Sequence, residues 1–143
     1  VMNRELLIAQ IAALEERALA SGAATITLGV FGEDETFSQA TRDRYERIRD
    51  TVGLTAMFSG GFTEPPISGV RTGVVDASDP MRNEHGVVVV GPDWSGLVAA
   101  SKRNDPGSDG QTVFDVYITT ERYTCVDAAR SALTRISPVS STS

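Results

Sequence analysis

The sequence predicts an α/β fold with one mixed sheet of about five strands, covered by about four helices. Two observations lead to this prediction. Short β-branched runs alternate along the chain with longer segments whose apolar residues recur at helical spacing, and this alternation is typical of a sheet covered by helices. The central strands follow one another without an intervening helix, so the sheet is expected to contain both parallel and antiparallel pairs.

The amino-terminal part of the chain predicts a helix followed by a strand. The helix spans 2–21 and ends at Gly22, a residue that commonly terminates helices. Its apolar stripe consists of Leu7, Ile11, Leu14 and Ala18. A β-branched, alternating run at 24–31 predicts the first strand.

A second helix and a second strand are predicted next. Thr36 and Gln39 fit a capping box, because a threonine hydroxyl and a glutamine three residues later satisfy each other's free amide groups. The helix is expected to end at Gly53, before an apolar strand at 54–58. The stretch 59–69 is rich in glycine and proline and predicts a loop.

The second half predicts three more strands and two more helices. The strands are β-branched runs between turn residues, at 70–75, 87–90 and 112–118. One helix is expected from Asp93, a natural N-cap, to Lys102. The last begins near Thr120 and carries an apolar stripe of Val126, Ala129, Leu133 and Ile136. Residues 1–136 are thus expected to form a single domain, followed by a polar, disordered tail at 137–143.

Composition excludes several classes of function. The formal charge of −6 and the single lysine, Lys102, argue against direct binding of nucleic acid, which requires clustered basic residues. No apolar run approaches the roughly 20 residues that span a bilayer, and no secretory signal is visible. The single cysteine, Cys125, excludes an internal disulfide and predicts a small buried side chain. The expected location is the cytoplasm.

The loop before the four-valine run concentrates the groups that could carry chemistry. Asp76, Asp79, Glu84 and His85 could hold a divalent metal, but their spacing matches no established ligand motif and aspartates are ordinary turn residues. We therefore predict no metal site. His85 is the only histidine, and without a nucleophile beside it a catalytic role is disfavoured against packing at the strand entry. No glycine-rich phosphate motif is present.

Two aromatic residues are candidates for a ligand pocket. Phe62 lies in the Gly- and Pro-rich loop, and Trp94 follows the four-valine strand. If both lie at carboxyl ends of strands, they should meet where α/β folds open a cleft. The stripe Leu7, Ile11, Leu14 and Ala18 has two interpretations, a face packed on the sheet or a dimer seam. We expect packing on the sheet with a contribution to dimerisation.

Several short motifs, taken in order, resemble those of the DICT sensory domain. They are Val30-Phe31-Gly32, the segment from Phe37 to Tyr45, Ala56-Met57-Phe58-Ser59-Gly60, Asp79-Pro80-Met81-Arg82-Asn83-Glu84, Gly91-Pro92, Phe114-Asp115 and Asp127-Ala128-Ala129-Arg130. The resemblance runs from about residue 5 to residue 136. One departure stands out, because His85 occupies a position where the family is expected to carry an aromatic residue, usually tryptophan.

The resemblance implies a bacterial signalling module found beside diguanylate cyclase, two-component or helix-turn-helix transcription modules. It implies a non-enzymatic role in which a small molecule or partner surface controls an attached output domain, and it implies no particular cofactor. The expected ligand contacts are Phe62, Arg82, His85 and Trp94, with Arg82 suited to an anionic group. The loops at 59–69 and 76–86 are expected to reorder. The alternatives are a ligand-free dimerisation module, and a small enzyme that uses His85.

Overall fold

The structure, a computed structural model, describes residues 1–32, 38–62, 64–104, 110 and 112–136. Within these residues the helices are α1 (Arg4–Leu19), α2 (Gln39–Thr51) and α3 (Arg122–Leu133), and a short 3₁₀ helix covers Pro80–Asn83. The strands are β1 (Met2–Asn3), β2 (Ile26–Phe31), β3 (Leu54–Phe58), β4 (Glu84–Val90), β5 (Ser95–Lys102) and β6 (Val113–Thr119). The predicted α/β class is confirmed, with six strands and three α-helices in the part of the chain described.

All the strands belong to one mixed sheet in the order β1-β6-β5-β4-β2-β3. Only β2 and β3 run parallel, because α2 connects them as a crossover helix, and the remaining pairs are antiparallel. Alternate residues of β4 face opposite sides of the sheet. Val87 and Val89 pack with Ala18 of α1, whereas Val88 packs with Cys125 and other residues of α3. The valine run is therefore buried on both faces, as its sequence predicts.

α1 lies on the sheet through the stripe that the sequence predicts. Leu7 and Ala18 are fully buried, while Ile11 and Leu14 are partly buried against the same clusters. Packing on the sheet is confirmed, and the seam to a second copy stays a prediction. The helix begins two residues later than predicted, because Met2 and Asn3 pair with β6 and the Asn3 side chain accepts a hydrogen bond from the Leu6 amide.

The predicted helix at 93–102 is wrong: Ser95–Lys102 forms β5, paired on both sides. Residues 91–94 form the tight turn of a hairpin, in which the Gly91 amide donates to the Trp94 carbonyl over 2.9 Å. Proline followed by aspartate is favourable at the centre of such a turn. Asp93 therefore lies in this turn and not at the N-cap of a helix. The alanines of 95–102 favour a helix, but pairing with a strand on each side overrides that preference.

The strand predicted at 70–75 is also wrong, because this segment makes only isolated bridges at Arg71 and Gly73. The Met57 amide donates to the Arg71 carbonyl and the Arg71 amide donates to the Thr55 carbonyl, over 2.8 and 3.0 Å. Gly73 instead bridges to Ile136, beyond the end of α3. The segment therefore pairs with β3 only at Arg71 and then crosses towards the other face of the sheet.

Two helix details also differ from the sequence prediction. α2 is capped by Ser38, whose hydroxyl accepts from the Thr41 amide over 3.2 Å, and the predicted capping residue Thr36 lies outside the described residues, as does Phe37. α3 buries Cys125, Ala129 and Ala132. Of the predicted stripe, Ala129, Leu133 and Ile136 do pack against the core, whereas Val126 does not belong to that cluster. No helix in the described ranges combines the length and apolar character needed to cross a membrane.

Candidate functional site

Three segments that are distant in sequence meet at the end of the sheet formed by the carboxyl ends of β2 and β3. The Ser59 hydroxyl and the Gly60 amide both donate to the Gly32 carbonyl, over 3.0 and 2.8 Å. A Cβ atom on Gly60 would lie 2.8 Å from Nη1 of Arg82, so the arginine lies directly against that backbone. Motifs that the sequence carries separately thus form one continuous surface.

The turn at residues 79–84 is held to α3 by an ion pair. Arg135 donates from Nε to Oδ2 of Asp79 over 2.6 Å and from Nη2 to Oδ1 over 2.8 Å, which is a bidentate geometry. Oδ1 also accepts from the Met81 amide and caps the 3₁₀ helix. These hydrogen bonds lower the pKa of Asp79 from its ordinary 3.8 to about 2, the contact with Arg135 being the largest cause.

We expect Asp79→Asn to lower the free energy of unfolding by about 1–2 kcal/mol at pH 7, allowing for solvent screening of a pair near the surface. The asparagine oxygen still caps Met81 but loses the charge facing Arg135. A carboxyl group with a lowered pKa stabilises the fold above its ordinary value of 3.8, and this contribution is lost as the pH falls towards about 2. Urea unfolding of both proteins at pH 7 and at pH 2 measures the difference.

The matched control is Asp50→Asn, which removes a carboxylate whose side chain is 69% exposed beside Arg49. It should change stability by less than about 0.5 kcal/mol. An Asp79→Asn deficit that stays constant between pH 7 and pH 2 would contradict a charge-based role for the ion pair.

A cavity of about 250 Å³ lies between α3 and the sheet, directly beside this ion pair. Its apolar wall comes from small residues of α3 and β5 and from longer ones of the sheet and the turn: Val30, Met81, Val88, Leu97, Ala99, Ala128 and Ala132. Glu84, Ser131 and Arg135 also line it. This cavity is partly open to solvent, and its mainly apolar lining with a few polar groups is typical of a small-molecule site.

The charged groups at this cavity do not cancel. Arg135 is neutralised by Asp79, whereas Glu84 forms no ion pair or side-chain hydrogen bond among the described residues. The hydrogen bond that Arg135 donates to Asp79 is the main cause of the raised pKa of the guanidinium, and the nearby charge of Glu84 raises it further. The three groups together carry one net negative charge.

A second, more open cleft of about 560 Å³ lies on the other side of the same turn. Two of the predicted ligand contacts, Phe62 and Arg82, line it together with Asp76 and Val75. Arg82 is held by a hydrogen bond from Nε to the Asp76 carbonyl over 2.7 Å, and the ring of Phe62 lies 6.4 Å from that of Phe31. The turn therefore separates an inner cavity from an outer cleft.

His85 borders the inner cavity through β4, but its ring lies on the opposite face of the sheet. The side chain is 5% exposed, and its ring makes an edge contact with Phe114, 5.5 Å between centroids. A Cβ atom on Gly32 would lie 2.8 Å from both Cε1 and Nε2 of this ring. The histidine is thus wedged between β6 and the end of β2.

Trp94 is not part of this site, so the predicted meeting of Phe62 and Trp94 is wrong. β4 runs antiparallel to β2, and its carboxyl end therefore lies at the other end of the sheet from the carboxyl ends of β2 and β3. There Nε1 of Trp94 donates to the Ser21 hydroxyl over 2.6 Å, and the Arg17 guanidinium lies 4.2 Å from the ring. These contacts anchor the carboxyl end of α1. A contribution of Trp94 to ligand binding stays a prediction.

A buried ion pair joins α1 and α2 on the face opposite α3. Glu15 is fully buried, and Nε of Arg44 donates to its Oε1 over 2.7 Å. Burial raises the pKa of Glu15, and the Arg44 guanidinium and Tyr45 hydroxyl offset this only in part. Burial also raises the pKa of Tyr45, with the Glu15 charge as the next cause. This pair could not be found from the sequence, because the arginine follows the glutamate 29 positions later and leaves no local signal.

The carboxylates and histidine of the loop do not assemble into a metal site. In the described parts of the chain, no group of three or more His, Cys, Asp or Glu side chains could hold a metal ion. The Asp79 carboxylate is committed to Arg135 and the ring of His85 faces away, so two of the four candidate ligands point elsewhere.

Comparison with family profiles matches residues 1–103 to the DICT profile, described as "Sensory domain in DIguanylate Cyclases and Two-component system". The chain belongs to the DICT family. The match covers α1 to β5 and includes the turn at 79–84, so the recognised resemblance and its sensory role are confirmed at that level. The motifs in β6 and α3 lie beyond the matched DICT residues and stay predictions. No curated protein and no solved structure matches the chain.

The inner cavity was not found from the sequence of this DICT domain. Its helical wall comes from Ala128, Ser131 and Ala132, a run of small residues that the helical spacing placed partly on the wrong face. A small-residue stripe on the buried side of α3 was the available signal. It could be recognised only once the helix was oriented by Cys125 and Ala129 against the sheet.

Proposed function

We propose that this DICT domain is a non-enzymatic sensory module that binds a small apolar molecule in the cavity beneath α3 and controls an attached output domain. The observation that carries the proposal is a partly open, largely apolar cavity of about 250 Å³ beside the turn at 79–84, in a family described as sensory. The family also occurs with diguanylate cyclase and two-component proteins, which supports an output domain of signalling type.

The charges around the cavity support a particular chemical class of ligand. An apolar body would contact Val88, Leu97 and Ala132, and a polar head would lie near Glu84 and Ser131. Because Asp79 already neutralises Arg135, the uncompensated charge is negative. A ligand with a cationic or hydrogen-bond-donating head is therefore favoured over one with an anionic head. An anionic group would instead bind beside Arg82 in the outer cleft.

The turn at 79–84 would carry the signal from the inner cavity to the outer cleft. Met81 and Glu84 line the cavity, whereas Arg82 lies with Phe62 along the cleft. A ligand can shift the output only by its difference in affinity for two arrangements of the domain. Displacement of Met81 by a ligand would shift the Arg82 side chain relative to the Gly60 backbone that it contacts. The loops at 59–69 and 76–86 are therefore the parts proposed to reorder.

Filling the cavity tests this proposal. Ala128→Leu adds three carbon atoms within the space beneath α3, and leucine is as compatible with a helix as alanine is. Benzylammonium and benzoate are similar in size and opposite in charge, and serve as probes in saturation-transfer NMR and calorimetry. We expect the wild-type domain to bind benzylammonium at least tenfold more tightly than benzoate, and Ala128→Leu to abolish that binding.

Ala40→Leu is the control, since it makes the same change on an exposed position of α2, and it should bind as the wild type does. Equal binding of benzylammonium by wild type and Ala128→Leu would reject the cavity as the site. Absence of binding by any variant would favour the alternative of a ligand-free dimerisation module.

A further inference from the structure

The outer edge of the sheet is open along most of β6. β1 pairs only with Val113 and Phe114, and no described residue pairs with the outer side of Asp115 to Thr119. The other edge of the sheet, at β3, is contacted by Arg71. Exposed edge strands usually carry lysine, proline or a bulge that prevents pairing. This edge has none of these, and its single charged residue is Asp115.

The backbone groups of this edge are oriented to accept another strand. The Arg103 amide donates to the Val113 carbonyl over 3.0 Å, and hydrogen-bonded positions alternate along an antiparallel ladder. Asp115, Tyr117 and Thr119 therefore bond towards β5. The amide and carbonyl groups of Val116 and Ile118 point outward.

The side chains along the edge are unusually apolar for a solvent-facing strand. Tyr117 is 54% exposed and Ile118 is 47% exposed, while Val116 is partly buried against the cluster of Leu7 and Phe114. Because side chains alternate, Val116 and Ile118 lie on the α1 face and Tyr117 lies on the α3 face. An added strand would extend both faces.

We propose that a second copy of this chain occupies the edge, with the two β6 strands antiparallel about a two-fold axis at Tyr117. Val116 of each copy then lies opposite Ile118 of the other, and their outward amide and carbonyl groups form four hydrogen bonds. Asp115 lies opposite Thr119, so no like charges oppose each other. Such a contact is self-complementary, as a symmetric dimer requires.

Strand occupancy and charge favour this register over the neighbouring ones. An axis at Val116 would place Ile118 opposite Phe114, whose outer side Met2 already occupies. An axis at Ile118 would place Asp115 opposite Glu121, which opposes two carboxylates. Only the axis at Tyr117 pairs all five open residues. The two Asp115 side chains then lie about four residue steps apart, roughly 13 Å, beyond the screening length of about 8 Å at physiological salt.

A cross-link tests the register without weakening the fold. In Tyr117→Cys the two cysteines would form a directly opposed, non-hydrogen-bonded pair, in which Cβ atoms lie about 4.5–5.5 Å apart, close to disulfide reach. Mild oxidation should convert most of the chain into a disulfide dimer on a non-reducing gel. Tyr123→Cys, on an 82% exposed residue of α3, is the control and should remain mostly monomeric. Cys125 is buried and does not compete.

A proline tests the hydrogen bonds directly. The Ile118 amide donates to nothing within the sheet, so Ile118→Pro removes an outward donor while keeping the ladder to β5. We expect the dissociation constant, measured by sedimentation equilibrium, to rise by about thirty-fold or more, because both copies lose a hydrogen bond. Ile8→Lys is the control for a dimer formed through the outer face of α1, where Ile8 is 42% exposed, and it should leave the constant unchanged.

Three results would overturn the proposal: a wild-type chain that is monomeric at micromolar concentration, equal cross-linking of Tyr117→Cys and Tyr123→Cys, or a dimer lost in Ile8→Lys and retained in Ile118→Pro. None of these measurements involves the cavity ligand. The proposed dimer can therefore fail while the proposed sensory function stands, and the reverse is also true.

Discussion

Replacing Arg44 by methionine is expected to lower the free energy of unfolding by about 3–5 kcal/mol at pH 7, since it leaves a buried carboxylate without its cation. Glu15 is fully buried, and the Arg44 side chain that neutralises it is only 13% exposed. Burial of Glu15 disfavours its charged form and raises its pKa, and the Tyr45 hydroxyl and the Arg44 guanidinium offset part of that cost. Because methionine keeps most of the apolar length of arginine, the loss of stability measures mainly the effect of removing the positive charge.

The deficit of Arg44→Met should depend on pH. A carboxyl group with a raised pKa stabilises the fold below its ordinary value, 4.5 for a glutamate, and this contribution is lost as the pH rises through the folded-state pKa. Removal of Arg44 raises that pKa further. The stability difference from the wild type, measured by urea unfolding, is thus expected to be larger at pH 8 than at pH 5.

The chain contains a matched control on the same two helices. Arg47 pairs with Glu16 over 3.1 Å, but both side chains are more than half exposed. Arg47→Met should therefore cost less than about 1 kcal/mol. The double variant Glu15→Gln/Arg44→Met should recover part of the loss, because the uncompensated charge is gone. Equal losses for Arg44→Met and Arg47→Met would contradict the assignment of a buried ion pair.

Gly32→Ala is expected to destabilise the domain by about 2–5 kcal/mol, the sum of backbone strain and overpacking. Gly32 has a φ of +59°, a conformation that side chains disfavour, and its missing Cβ would lie 2.8 Å from the ring of His85. Two separate costs therefore act at one residue. Thermal and urea unfolding at neutral pH measure their sum.

Gly22→Ala separates the two costs. Gly22 has a φ of +83° with nothing within 4 Å of its missing Cβ, so only strain of about 1–2 kcal/mol applies. In a His85→Ala background, the additional loss caused by Gly32→Ala should fall towards that value. If Gly32→Ala and Gly22→Ala lower the free energy of unfolding equally in the wild-type background, then His85 does not pack closely against the end of β2.

The Gly32 contact also shows how tightly His85 is packed. The side chain at this position fills a narrow space between Phe114 and the backbone of Gly32. An imidazole ring is smaller than an indole ring, and it keeps an aromatic edge against Phe114. His85 is therefore placed as a packing residue, and its contact with a ligand stays a prediction.

Local sequence patterns predicted most elements because their signals act over a few residues. The strand at 54–58 was predicted with its exact bounds, and the helices ending before Gly22 and Gly53 were recognised from apolar spacing and terminating glycines. The failures at 70–75 and 93–102 have a common cause. In both segments, pairing within the fold overrode the local preference. Residues 95–102 pair with β4 and β6 although their alanines favour a helix, and the β-branched run 70–75 makes only single bridges, to Ala56 and Ile136.

The candidate site was predicted only in part, because its outer cleft follows from local order along the chain whereas its inner cavity depends on tertiary packing. Phe62 and Arg82 do line one cleft, because Phe62 follows the carboxyl end of β3 and Arg82 directly precedes β4, which begins at the same end of the sheet. Trp94 was misplaced because the sequence does not specify that β4 runs antiparallel to β2. The inner cavity also depends on how α3 is rotated over the sheet, which its own alternating small and apolar residues do not decide.

The sequence by itself determined the α/β class, the DICT family and the turn that carries Asp79 to Glu84, since all three depend on residue order and short-range spacing. Only the tertiary structure decided that Arg135 clamps this turn, that Glu15 lies buried against Arg44, and that β1 pairs with just two residues on the outer side of β6. Each of these joins residues far apart in the chain. Such contacts follow from strand direction and helix rotation, which the packing of the whole core selects and no local pattern encodes.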